Sequence, residues 1–340
     1  MPLLLALLLA GPMGLRTQGS LRELFLDMTI VDARPLPLPE LDVRWSLANT
    51  WNEPMTLGRG QQRATQFLDE QADSIAVRLR APWPGYPKIW SAVEWKLTEH
   101  WGGWSDYPIE AWHSVVGAFN YQRSRYPRNE VHLHYSDDGG TAFSIDSATL
   151  APGDLTLRTQ ATVLEKGSIA LAARLDLKLP VGSLSAAGGS GGFDVGAGAV
   201  ATWTIAPWAT LHGLVAVSRF SHLSAPTLLQ PAEWHLTAEA SFEAQFGGTT
   251  LLFEDRCLSQ LLEMGWDRVG PPDDDALLSS GLYADFRAHN QISIGVRIGR
   301  FTIWMSEDFT PGPNPHSVLP FLWVSNAPDL VMGIAYSLSL

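Results

Sequence analysis

Residues 233–246 read Glu-Trp-His-Leu-Thr-Ala-Glu-Ala-Ser-Phe-Glu-Ala-Gln-Phe. Trp234, Leu236, Ala238, Ala240, Phe242 and Ala244 are apolar, and the residues between them, from Glu233 through His235, Thr237, Glu239, Ser241 and Glu243 to Gln245, are polar. A period of two means an extended strand, because successive side chains point to opposite faces. Length then chooses the surroundings. Strands of soluble proteins average about 5–6 residues, whereas a tilted strand needs about 9–11 to cross a bilayer. This run is long enough to cross.

The pattern recurs in both directions. In 168–180, Ile169, Leu171, Ala173, Leu175, Leu177 and Leu179 oppose Arg174, Asp176 and Lys178. Segments 41–51, 193–205 and 332–340 alternate in the same way. Weaker alternation places further strands at 65–81, 88–100, 154–165, 208–220, 249–263, 277–289 and 291–305, about twelve in all. Tight links at 166–167, 207, 247–248 and 290 alternate with long ones at 181–192, 221–231, 264–276 and 306–327. Outer-membrane barrels combine short periplasmic turns, long outer loops and an even strand number. The expectation is an all-β, transmembrane, antiparallel up-and-down β-barrel over 41–340, with both termini in the periplasm. Counting 140–148 as a span would break the parity, so that piece is assigned to an insertion.

Charged residues make up only 17% of the chain, against about 25% in soluble domains. That depletion suits a wall with one oily face. The net charge of −12 and the lack of a basic stripe argue against nucleic acid as a partner. The single cysteine, Cys257, excludes an internal disulfide and a thiolate metal cluster. Residues 1–10, nearly all Leu, Ala and Pro, are too short for a helical span and fit the apolar part of a signal peptide, although a basic stretch before them is missing. Residues 11–40 then form a periplasmic N-terminal segment. Many tryptophans fall near proposed strand ends (Trp51, Trp83, Trp90, Trp101, Trp203, Trp208, Trp234, Trp304 and Trp323), as an interfacial girdle requires.

The insertion 101–153 carries a helix. Ser105 or Asp106 suits its cap, Pro108 and Glu110 its first turn, and Ile109, Trp112, Val116 and Phe119 recur at helical spacing. It is expected as a lumen plug, an outer cap, or a surface helix.

Several motifs invite a chemical reading. Gly188-Gly189-Ser190-Gly191-Gly192 matches a nucleophile elbow in letters, yet it joins two alternating strands, where a flexible loop is expected. Gly196-x-Gly198-x-x-Ala201 matches a dinucleotide fingerprint but lies mid-strand, without the helix that motif opens. His132 and His134 would project the same way from a strand, with Asp137 and Asp138 following. They are candidate metal ligands, set against ordinary loop histidines. Asp273, Asp274 and Asp275 read as a solvated acidic loop, with cation-bridged lipopolysaccharide as the alternative. No catalytic residue, cofactor or firm metal site is expected.

The polar faces carry the functional expectation. A lipid-facing Arg or Lys costs about 2–4 kcal/mol at the midplane. The lumen is therefore expected to be lined by Arg44, Arg78, Arg80, Glu94, Lys96, Arg158, Arg174, Asp176, Lys178, Glu233, Glu239, Glu243, Asp285, Arg287 and Arg297. Such mixed charge either closes a narrow barrel through ion pairs or lines a selective pore.

The segment Gly11-Pro12-Met13-Gly14-Leu15-Arg16-Thr17-Gln18-Gly19-Ser20-Leu21 resembles the mature start of domain-of-unknown-function family 3187, of the Gram-negative envelope. Trp45-Ser46-Leu47-Ala48-Asn49, the helix with Ile109, Glu110 and His113, and the run from Leu179 to Gly182 are similar as well. The resemblance implies an outer-membrane protein and assigns no activity or functional residue. The chain departs from many barrels in ending with Leu340, where an assembly signal usually has Phe.

Together these readings predict an outer-membrane barrel of a Gram-negative bacterium, in contact with outer-membrane lipid, lipopolysaccharide and the barrel-assembly machinery, with protein partners unspecified. Its expected role is a narrow or gated channel for small polar solutes or a structural envelope component. The alternatives are a transporter of an apolar or lipid-like substrate and, third, an outer-membrane lipid hydrolase.

Overall fold

The computed structural model describes residues 11–116, 123–228, 230–262, 267–268, 288–311, 322–324 and 330–340. The expected signal peptide and the Asp273–275 loop lie outside these residues.

Alternation becomes a closed wall of twelve antiparallel strands. They are β1 (Glu40–Arg59), β2 (Gln62–Trp83), β3 (Tyr86–Trp101), β7 (Leu155–Lys166), β8 (Ile169–Leu179), β9 (Asp194–Ala206), β10 (Ala209–Arg219), β11 (Trp234–Phe246), β12 (Thr249–Leu258), β14 (His289–Ile298), β15 (Phe301–Pro311) and β17 (Leu330–Ser339). Closure comes from β1, which pairs with β2 on one side and β17 on the other. Five shorter strands extend the wall. In the insertion, β4 (His132–Asp137) and β5 (Gly140–Ile145) form a hairpin and β6 (Thr149–Pro152) pairs with β3. Two small pieces, β13 (Asp267–Arg268) and β16 (Leu322–Val324), pair with β1 and β15.

One end of the barrel has only tight turns. Gly85, Gly167, Gly247 and Gly299 sit there at φ of 79°, 60°, 61° and 58°, where a side chain would be strained. Both β1 and β17 meet this end, through the pair Glu40↔Ser339. It is the periplasmic end by the short-turn rule.

The two faces of the wall differ as the bilayer demands. Val215 and Ile303 are 66% and 58% exposed, whereas Asp176 is 0% exposed. A soluble core would reverse those values. Backbone groups can meet hydrocarbon here because a closed sheet leaves no edge unpaired.

The girdle forms at the periplasmic end from Trp83, Tyr86, Trp203, Trp208, Phe246 and Phe301, all exposed. Of the nine expected tryptophans, Trp83, Trp203 and Trp208 join it, and Trp101 and Trp234 lie at the opposite ends of β3 and β11. The side chain of Trp323 is outside the described residues, and the other three are buried. Trp90 and Trp304 have inward parity and are buried inside the barrel, and Trp51 is buried under the insertion. Strand position set the height of these residues, and parity decided their side.

The count of twelve survives a shift in two strands. Expected strands were 277–289 and 291–305 with a turn at Asn290; instead Asn290 lies within β14 and the turn is Gly299-Arg300. Residues 277–287 lie outside the described set. The first hairpin also reaches further than expected, with β1 and β2 running 20 and 22 residues and a bulge between Asn52 and Met55.

The helix α1 (Asp106–Val116) neither plugs the lumen nor caps it; it belongs to a surface layer on the outside of that tall hairpin. Asn49 and Trp51 share the outward face with the exposed Trp45, and the insertion covers them. Asn49 Nδ2 donates to Ser105 Oγ at 2.8 Å, and Arg123 lies 5.5 Å from the Trp51 ring.

What fills the barrel is residues 11–34. Leu21, Leu24, Phe25, Leu26, Met28, Ile30 and Val31 join inward-facing Leu68, Trp90, Leu133, Tyr135, Phe143, Val200, Leu214 and Phe220 in one apolar cluster. The segment expected to hang in the periplasm is therefore packed within the wall. Its apolar residues, which have no strand alternation to place them, find a dry space against the apolar inner residues of the wall.

Candidate functional site

A chain threaded through a barrel without joining the sheet must still satisfy its backbone groups. Inward side chains meet that need. The N–H groups of Gly14, Leu26, Ile30 and Ala33 donate to Glu254, Asp194, Glu239 and Thr202 at 2.8–2.9 Å. Arg44 donates to the carbonyl of Gly14 at 2.9 Å, and Gln160 and Thr162 to those of Asp32 and Ala33, both at 2.7 Å. Arg174 reaches the carbonyl of Thr29.

Charged latches reinforce this seat. Lys96 meets Glu23 at 2.6 Å and Arg16 meets Glu94 at 3.2 Å. Arg256 binds the carboxylate of Asp27, the hydroxyl of Thr17 and the carbonyls of Leu15 and Met28. Ser20 donates to Glu70, which also holds His100 at 2.5 Å. Shape matches as well. A Cβ on Gly196 would fall 2.4 Å from the sulfur of Met28, and one on Gly295 would fall 2.4 Å from that of Met13.

The wall also pairs its own charges, mostly across strands. Arg78 meets Asp42 at 2.6 Å, Arg80 meets Glu40 at 2.7 Å, and Asp176 receives Arg158 at 3.1 Å and Arg174 at 2.5 Å. Lys178 contacts Asp154 at 2.7 Å and Asp194 at 3.3 Å. Glu243 accepts from His212 at 2.8 Å with Arg297 at 3.6 Å. Desolvated charges need such partners to be tolerable at all.

Of the residues expected in the lumen, twelve turn to the inner face: Arg44, Arg78, Arg80, Glu94, Lys96, Arg158, Arg174, Asp176, Lys178, Glu239, Glu243 and Arg297. Glu233 does not; it precedes β11, lies exposed, and pairs with exposed Arg219 at 2.7 Å. Asp285 and Arg287 lie outside the described residues. Sequence reasoning passed over Glu254 and Arg256, although both oppose Leu251 and Phe253 in the parity of β12. It also passed over Glu70, and it read Asp42 and Asp194 as polar-face residues without naming them in the lumen.

A second cluster lies on the outer wall. His132 and His134 project from one face of β4, as their spacing predicted, but the carboxylate beside them is Asp146. Asp137 instead closes the hairpin by accepting Gly139 N–H at 2.8 Å, and Asp138 accepts from Arg63. Hydrogen bonds from His132 and His134 hold the Asp146 carboxyl below its ordinary pKa. Partial burial opposes ionisation of His132, and its bonds to Asp146 and Glu130 outweigh that, raising its pKa. Ser144 Oγ lies 2.9 Å from His134 Nδ1 while Asp146 takes Nε2. Serine hydrolases use the two ring nitrogens the other way round.

Residues 7–260 match the family described as Protein of unknown function (DUF3187). The chain belongs to this family. No curated protein matches it. The DUF3187 barrel is similar in fold to the COG4313 outer membrane channel from Pseudomonas putida F1, with a TM-score of 0.52 and 10% identity over 91% of this chain and 98% of that one. It also aligns with the P. putida toluene transporter TodX, at a TM-score of 0.39 and 8% identity over 89% of this chain and 90% of the other. The DUF3187 chain is an outer-membrane β-barrel of the kind found in Gram-negative bacteria.

Proposed function

We propose that this chain is a gated outer-membrane channel, closed by its own N-terminal segment and opened to small apolar or amphipathic solutes when that segment moves. The observation that carries this reading is the composition of the plugged lumen. Leu68, Trp90, Leu133, Tyr135, Phe143, Val200, Leu214 and Phe220 face inward and are covered by apolar side chains of residues 21–31. Withdrawing the segment exposes an oily chamber, which favours an apolar cargo. A water-filled pore keeps a polar interior instead.

A polar-solute reading draws support from the periplasmic end, where Arg44, Arg78, Arg80 and Arg297 line one cavity together with Asp42 and Glu40. One experiment separates the two. Full-length protein and a variant lacking residues 11–39 are reconstituted in planar bilayers and in vesicles, with Arg256→Ala as a second way to loosen the seat. The expected result is electrical silence for the full chain and stepwise conductance for both variants, with a charged amphipathic dye that protein-free vesicles exclude entering faster than a disaccharide. Faster disaccharide entry favours the polar reading. Silence and impermeability in both folded variants would end the channel proposal.

A further inference from the structure

The outer histidine cluster has no part in the lumen, and its geometry supports a separate proposal. We propose that His132, His134 and Asp146 bind a divalent transition-metal ion of the zinc or copper class on the outer wall of the barrel.

Register brings the three together. On β4, Leu133 and Tyr135 turn into the lumen cluster, so His132 and His134 turn outward. They pair with Asp69 and Phe67 on the upper part of β2. The hairpin sets Leu133 opposite Ile145 and His134 opposite Ser144, and Asp146 emerges next to the histidines. Its Oδ1 lies 2.9 Å from His132 Nδ1 and 2.8 Å from His134 Nε2. The three ligand atoms all fall within 4.8 Å of one another. Around zinc, with bonds of about 2.0–2.1 Å, tetrahedral ligand atoms stand roughly 3.3 Å apart. Half-exposed side chains can close that difference without moving the strands.

The remaining ring nitrogens are already occupied. Glu130 Oε2 meets His132 Nε2 at 3.0 Å, and Ser144 Oγ meets His134 Nδ1 at 2.9 Å. Each imidazole thus presents one nitrogen to the centre while the other is tethered from behind. Metal-binding histidines are oriented in this way, by outer partners that fix tautomer and ring direction. Phe67 adds to the alignment, lying nearly parallel to His132 at 5.0 Å and to His134 at 6.5 Å. Two imidazoles and one carboxylate suit zinc, copper or nickel, whereas calcium and magnesium prefer oxygen alone.

The test uses the full chain in detergent, carrying no polyhistidine tag. Zinc is titrated by calorimetry, and cobalt is added separately to read the visible bands of a tetrahedral site. The expected result is one zinc per chain, with affinity falling more than 100-fold in His134→Ala and Asp146→Ala. Ser144→Ala, which removes only an outer partner, should lose about 10–100-fold. Heat-dependent gel mobility confirms that each variant is a folded barrel. Failure of the folded wild type to bind micromolar zinc overturns the proposal, and so does undiminished binding by a folded His132→Ala/His134→Ala double variant.

Discussion

The carboxylate of Glu254, on the inner face of β12, accepts the backbone N–H of Gly14 at 2.9 Å. Gly14 sits at φ 57°, and a Cβ there would fall 2.5 Å from the carbonyl oxygen of Ile30. The segment therefore doubles back between these residues and passes close to itself at a left-handed glycine, whose N–H a wall carboxylate holds. A Gly14→Ala substitution strains the backbone by roughly 1–2 kcal/mol and also collides with Ile30. The expected outcome is a folded barrel whose residues 11–34 become open to protease added to the detergent-solubilised protein. Unchanged protection would mean that the close approach of Gly14 to Ile30 is not needed to seat the segment.

Arg256 is the broadest latch, reaching Leu15, Thr17, Asp27 and Met28 at once. Replacing it with Ala leaves the largely covered Asp27 carboxylate without its strongest partner. Breaking a fully buried pair costs about 3–5 kcal/mol, which is the upper bound here. The cost falls on the closed state, because a withdrawn Asp27 regains water. Arg256→Ala should therefore raise the open fraction far more than Arg219→Ala, whose exposed partner Glu233 is already solvated. Single-channel open probability measures the difference.

Two kinds of information were unequally legible in the sequence. Parity is a local property, so ten of the twelve spans and the inward charges from Arg78 to Lys178 could be read directly. The turn at Gly299-Arg300 was legible too, since the outward set runs Ile292, Ile294, Val296, Ile298 and then Phe301, Ile303. That slip in phase marks a turn, and a continuous strand over 291–305 overlooks it. The seat of residues 11–34 was not legible. Its contacts join residues more than a hundred positions apart, such as Leu26 with Asp194 and Ile30 with Glu239, and the segment has no periodicity to declare a face. Asp146 was hidden for the same reason: only the register of β4 against β5 brings it to His132 and His134.

The insertion is anchored to the outer wall by Arg123, which donates to Asn49 Oδ1 at 2.9 Å, pairs with Asp106, and covers Trp51. None of these contacts reaches the lumen. Arg123→Ala should free residues 102–116 and 123–131 for rapid proteolysis and leave the closed state of the channel unaltered. Accompanying leak currents would show instead that the insertion helps to hold the N-terminal segment in place.

The last prediction tests the membrane assignment at one position against its neighbour. Ile75 is 49% exposed, lies on the outer face, and stands between Trp45 on β1 and Leu97 on β3. Ser74 faces inward and shares a hydroxyl hydrogen bond with Thr98 at 2.8 Å. Ile75→Arg places a guanidinium against hydrocarbon, at about 2–4 kcal/mol near the midplane. Ser74→Ala loses one hydrogen bond, about 1 kcal/mol. In water the ranking would reverse, because an arginine on an exposed face costs almost nothing there. Urea titration of folding into lipid vesicles should place Ile75→Arg well below Ser74→Ala, with wild type the most stable. If Ile75→Arg matched wild type in stability, hydrocarbon could not be what Ile75 meets.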